Sequence, residues 1–197
     1  MKEIKMGEAQ IIKGNVAVAD YFVLEAQAGQ KYEYLDGKVL AMAGGTPRHS
    51  QLCANATRLF GEALDQRDDC IVYDSNLKIE VPSIHSFLYP DGSIVCGELQ
   101  FSEGRKDSIQ NPVLIIEVLS DSTESYDRGD KFRRYRNLPS LKEYVLISQN
   151  SRQIEVFFRK EANHWLYSVY SQPEEMLRFH SLGLELAVGA FYRKVEV

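Results

Sequence analysis

Apolar residues fall at Tyr21, Leu24 and Ala28 between Val16 and Ala28, close to helical spacing, and Gly29 is the residue type that closes a helix in the left-handed conformation. The pattern predicts a short first helix. Two apolar runs follow, Tyr32 to Leu35 and Lys38 to Met42, around Asp36-Gly37, the dipeptide best suited to the positive φ angles of a two-residue hairpin turn. Beyond Gly44-Gly45-Thr46-Pro47, Leu52, Ala56, Leu59, Phe60 and Ala63 recur at helical spacing and predict a second helix from about His49 to Asp65, covering one face of a sheet. Leu77, Ile79 and Val81 then alternate with Asn76, Lys78 and Glu80, the period of a half-buried strand, which assigns Lys78 to the more polar face.

The second half opens with a turn at Tyr89-Pro90-Asp91-Gly92 and a strand over Ser93 to Cys96. Val113 to Leu119 is almost continuously apolar, as expected of a strand covered on both faces, yet it carries Glu117 at its centre. A basic helical segment is expected from about Ser125 to Asn137, stopped before Pro139, with three more strands near Glu143–Ser148, Gln153–Arg159 and Trp165–Tyr170. Ser120, Ser122 and Thr123 are read as caps of that basic helix. Together these elements predict an α/β (α+β mixed) fold: a central mixed sheet flanked by helices, with an N-terminal helix and hairpin. At 197 residues and without a linker-like stretch, residues 1–197 read as one domain.

Composition adds exclusions. A hydrophobic fraction of 44% with 26% charged residues excludes a disordered or coiled-coil chain. No apolar run approaches the roughly 20 residues of a membrane helix, and Met1 to Lys13 lacks a long apolar segment, so the expected location is the cytoplasm, with no membrane partner. Cys53, Cys70 and Cys96 show no CxxC spacing and are read as reduced, packing thiols. A net charge of −5 excludes broad coating of nucleic acid, so contact with phosphates must be local. Arg128, Lys131, Arg133, Arg134 and Arg136 crowd one segment and mark the place for it, against the alternative of a solvated basic face. Phe132 and Tyr135 on that segment read as core anchors.

An ionised glutamate inside Ile115-Ile116-Glu117-Val118-Leu119 is costly unless paired, protonated or bound to metal. Asp91 lies 26 residues earlier beside another strand, and the two carboxylates converge if those strands are neighbours. Two carboxylates with water and a carbonyl suit magnesium or manganese, and such a site can support phosphodiester cleavage. The plain alternative is a turn aspartate and a salt-bridged strand glutamate. Spacing alone leaves both open.

Tyr89-Pro90-Asp91, Ile115-Ile116-Glu117-Val118-Leu119-Ser120, Asp127 to Lys131 with Tyr135, and Glu143-Tyr144 follow in an order that resembles the Uma-two family of the PD-(D/E)XK nuclease superfamily. Lys31 to Gly37, His49 and Leu182 to Leu186 extend the resemblance over nearly the whole chain. It implies a restriction-endonuclease-like fold, a magnesium-dependent endonuclease acting on DNA, and a homodimer. On this resemblance Asp91 and Glu117 are metal ligands and Glu33 a further acidic residue of the site. The superfamily lysine stands two residues after the glutamate, where this chain has Leu119. Lys131, one turn after Asp127, is then the first candidate to replace it and Lys78 the second, while Asp127 and Lys131 equally suit a surface i,i+4 pair. Arg128, Lys131 and Arg134 are the expected nucleic-acid contacts. His49 suits either help to a bound water or a structural hydrogen bond. His85, His164 and His180 lack metal-binding spacing. The competing expectation is a catalytically inactive nuclease-fold module that binds nucleic acid or a protein, motivated by Leu119 and the acidic charge.

Overall fold

The computed structural model describes residues 11–42 and 44–197. Most of the N-terminal stretch Met1 to Lys13 discussed above therefore lies outside the described residues. Along the chain run β1 (Ile11–Lys13), α1 (Val18–Ala28), β2 (Tyr32–Leu35), β3 (Lys38–Ala41), α2 (Pro47–Leu64), β4 (Cys70–Asp74), β5 (Lys78–Val81), β6 (Ser86–Leu88), β7 (Gly92–Cys96), β8 (Ser108–Ile109) and β9 (Leu114–Leu119). A helical stretch follows, α3 (Glu124–Tyr126), a π turn (Asp127–Lys131) and α4 (Phe132–Tyr135). The chain closes with β10 (Glu143–Ser148), β11 (Ile154–Glu161), β12 (His164–Tyr170), β13 (Met176–Phe179), β14 (Leu184–Ala187) and α5 (Val188–Phe191).

Among the described residues the strands form two six-stranded sheets, β1-β3-β2-β6-β5-β8 and β12-β11-β10-β9-β7-β4, plus the pair β13-β14. In the second sheet β9 runs parallel to β10 and antiparallel to β7. This is the mixed α/β architecture expected from the sequence, with the sheet divided in two. The N-terminal hairpin turns at Asp36 and Gly37, whose φ angles of 46° and 89° are the positive values that dipeptide accepts.

The core forms on the faces set by strand alternation. Leu114, Ile116 and Val118 of β9 pack with Leu52, Ala56, Phe60 and Leu64, the buried stripe of α2. Ile115 and Leu119 point the other way, into a cluster with Leu88, Tyr135 and Tyr144. Glu117 shares their parity and so enters that second cluster. Burying α2 also fixes its N-terminus, where the Thr46 hydroxyl accepts the His49 amide at 3.1 Å and Pro47 starts the first turn. Thr46→Ala should lower stability by about 1 kcal/mol, read as a shift in chemical-denaturation midpoint; no shift would mean the cap contributes nothing.

Three expectations need correction. Lys78 is fully buried, not on a polar face: its ammonium meets Glu25 at 2.5 Å and lies over the rings of Tyr21, Phe22 and Tyr89. Alternation reports polarity along a strand and cannot reveal that α1 supplies a carboxylate and a ring wall for a lysine. Cys70 and Cys96 form a disulfide, because the β4–β7 register sets them directly opposite each other, leaving Cys53 as the free thiol among the described residues. Thr123 is the residue before α3, but its hydroxyl does not cap the helix; the Ser120 carbonyl accepts the amides of Thr123 and Glu124 instead.

Candidate active site

The antiparallel register pairs Gly92 with Ile116, so Asp91, just before β7, comes beside Glu117 and Val118. The Asp91 carboxylate accepts the Val118 amide at 2.7 Å and meets His49 Nε2 at 3.2 Å. Burial pushes the Asp91 carboxyl up, but the hydrogen bond and charge of His49, with Lys131, outweigh it and hold it below its usual value. His49 responds in kind: burial disfavours its charged form, yet Asp91 raises it above the ordinary imidazole range.

Lys131 reaches the same place from the π turn. Its ammonium donates to Glu117 Oε2 at 2.9 Å and to the Tyr89 carbonyl at 3.0 Å, with Glu33 at 3.5 Å and Asp127 at 3.6 Å. All four charged residues, Glu33, Glu117, Asp127 and Lys131, are buried. The surface-pair reading of Asp127 and Lys131 is therefore corrected: both sit in the π turn and both are buried, facing the Glu117 site and not solvent. Burial disfavours the charged form of Lys131, but Glu117, Glu33 and Asp127 around it raise its pKa well above the usual value.

Glu33 comes from β2 of the first sheet, held by the Tyr89 amide at 3.1 Å and the Tyr126 hydroxyl at 2.7 Å. Tyr89 thus ties the halves together, giving its amide to Glu33 and its carbonyl to Lys131. Neither Tyr126 nor Tyr89 was singled out in the sequence as a site residue; Tyr126 carried a usable signal, adjacent to Asp127, whereas a backbone carbonyl carries none. Lys78 stands outside this cluster, with Glu25.

The charges in the cluster do not balance. Glu33, Asp91, Glu117 and Asp127 face one lysine and one histidine, and burial, with Asp127 and Asp91 nearby, pushes the Glu117 carboxyl well above its usual value despite Lys131. Burial likewise raises Asp127. The second oxygen of Glu117, Oε1, is buried without a hydrogen-bond partner. A buried carboxylate oxygen without a partner, on the strand that neighbours Asp91, is an oxygen donor of the kind that hard divalent cations such as magnesium or manganese take, so the residues present fit such an ion.

The expected phosphate contacts are distributed differently. Arg128 is engaged by Glu124 at 2.7 Å and Glu155 at 2.6 Å. Arg134 donates to the Ser86 hydroxyl at 2.8 Å and, with Arg133 and His85, lines a polar cleft beside the Asp36 turn. Lys131 is enclosed by the carboxylates. Glu155 is buried, which pushes its carboxyl up, but hydrogen bonds from Arg128, Gln153 and Tyr167 prevail and hold it below the usual carboxylate range. A depressed carboxyl contributes stability above its unfolded pKa that is lost as pH falls through the folded one. Glu155→Gln should therefore melt earlier than wild type at pH 7 and converge with it in acid below pH 4.5; a constant gap across the melting series would contradict this.

Phe132 stacks on Tyr144 with ring centroids 4.9 Å apart, and Tyr135 is buried, so both are core residues as expected. His85 occupies a left-handed turn, and His164 pairs with Glu161 on the surface.

Residues 18–189 match the family model Uma2, described as "Putative restriction endonuclease". The chain is similar to the uncharacterized protein slr1290 of Synechocystis sp., 38% identical over 176 residues that cover 88% of this chain and 90% of that protein. It is also similar to the uncharacterized protein sll1609 of the same organism, 31% identical over 151 residues, 77% and 85% of the two chains. Its fold is similar to the crystal structure of "a putative nuclease belonging to DUF820" from Anabaena variabilis, with a TM-score of 0.75 over 92% of this chain and 99% of that one, at 13% identity.

Proposed function

The chain belongs to the Uma2 family, and from that premise we propose that it is a metal-dependent endonuclease that hydrolyses DNA phosphodiester bonds through Asp91, Glu117, Lys131 and Glu33. Family and fold support a nuclease. The observation that carries the finer reading is the free Glu117 Oε1, with Lys131 on the other oxygen and Asp91 on the neighbouring strand. In this reading Asp91 and Glu117 hold magnesium or manganese, which when bound lowers the pKa of water and offsets charge on the attacked phosphate.

The chain's own groups have separate tasks. Lys131 keeps Glu117 Oε2 occupied and its charge compensated, leaves Oε1 free, and steadies the phosphate by its positive charge. The Val118 amide and His49 orient the Asp91 carboxylate. Glu33, fixed by Tyr89 and Tyr126, positions the attacking water by accepting its hydrogen bond. Arg134, in the cleft beside the Asp36 turn, supplies a backbone contact, and Arg128 adds one by exchanging its exposed Glu124 partner for a phosphate. The unit is one domain, and cutting a duplex calls for two such sites, so a homodimer completes the proposal.

The test is cleavage of supercoiled plasmid by purified protein in magnesium or manganese. Wild type should cut, chelation should stop it, and Glu117→Ala should fail to cut. Equal cutting by Glu117→Ala would overturn the assignment.

A further inference from the structure

His49 and Cys53 stand one turn apart on α2, so their side chains share a face, and that face looks at Asp91. His49 Nε2 lies 3.2 Å from the Asp91 carboxylate and Cys53 Sγ lies 3.5 Å from His49 Nδ1. One donor atom from each of the three residues falls within 4.8 Å of the others, and all three are half-buried. Tetrahedral zinc, with bonds of about 2.0–2.3 Å to nitrogen, oxygen and sulfur, sets its ligand atoms roughly 3.3–3.6 Å apart. The two short contacts use opposite nitrogens of the imidazole, so a metal held by Nε2 draws the Cys53 thiol in from a spacing of at most 4.8 Å, a movement of the order of one side-chain adjustment.

We propose that His49, Cys53 and Asp91 form a second, thiophilic metal site that takes zinc and, because it shares Asp91, excludes magnesium from the oxygen site formed with Glu117. The competitive half rests on the reading of Asp91 as a magnesium ligand. The two donor sets differ in kind. Asp91 with Glu117 offers oxygen alone, which suits magnesium. Asp91 with an imidazole and a thiolate offers nitrogen and sulfur, which select zinc, cobalt or copper over magnesium. Binding forms bonds from the metal to Nε2, Sγ and a carboxylate oxygen and releases the Cys53 thiol proton to solvent; nothing is oxidised or reduced. Three protein ligands leave a fourth position for water. Cys53→Ser replaces the sulfur by a smaller oxygen beside His49 while leaving the Lys131–Glu117 ion pair its own partners.

The test uses cobalt(II) as the probe on the full chain. Wild type should develop a near-ultraviolet thiolate-to-cobalt charge-transfer band that saturates at one equivalent and bleaches on adding zinc, while excess magnesium produces no band. Cys53→Ser should lose the band, His49→Gln should bind cobalt at least tenfold more weakly, and Glu117→Ala should retain the band. No band in wild type, or an undiminished one in Cys53→Ser, overturns the site. In plasmid cleavage, zinc should inhibit wild type at a concentration at least tenfold below that needed for Cys53→Ser, and equal sensitivity overturns the competition. If no protein cleaves, the nuclease reading fails and the cobalt titration alone decides the metal site.

Discussion

Lys131→Ala should cost about 3–5 kcal/mol of folding stability, the usual consequence of removing one partner of a buried ion pair, and should abolish cleavage. The cost comes from what is left behind. Glu33, Glu117 and Asp127 all face the lysine ammonium within 3.6 Å, and none is exposed enough for water to replace it. The Tyr89 carbonyl loses a donor as well. Lys131→Met, which keeps the length of the side chain and removes its charge, should recover part of the packing but little of the stability, which identifies charge as the cause. Urea unfolding of both variants measures this. A loss below about 1 kcal/mol in Lys131→Ala would place the pair in the range of exposed salt bridges and contradict the buried network.

Glu117→Gln should behave in the opposite way. Burial already penalises the ionised Glu117 carboxyl, so the neutral amide should fold about as stably as wild type, with Lys131 still facing Glu33 and Asp127. Cleavage should nevertheless fall by at least about 100-fold, the upper end of what altering even the outer partners of a metal site costs. Magnesium should also stop raising the melting temperature, because a ligand stabilises only the folded state that binds it. Thermal melts with and without magnesium, beside the plasmid assay, separate the two effects. A magnesium-dependent shift that survives in Glu117→Gln would remove this residue from the ligand set. A variant that unfolds at room temperature would show that the carboxylate holds the fold.

Much of this arrangement was legible before any coordinates. Strong periodicity made α2 and β9 readable, and a proline-introduced apolar run with one acid inside it singled out Glu117. Tyr89-Pro90-Asp91 and the helical Asp127–Lys131 pair were visible as motifs. The hidden parts depended on partners far along the chain. Lys78 needed Glu25 and three rings to be buried, and the Cys70–Cys96 bond needed the register of β4 against β7. The π turn leaves no mark on a pattern of apolar positions, and nothing local says that the face shared by Asp127 and Lys131 is the buried one. Glu33 came only from family resemblance, because its role requires one sheet to be brought against the other.

The lysine of this cluster is delivered by a helix, and β9 itself carries no cation. Position 119 is thereby released from chemical duty and belongs wholly to the core, where Leu119 is 2% exposed. Packing of the central strand and supply of the positive charge then rest on two different elements. A change at Leu119 acts on the packing of the strand and leaves the cation in place.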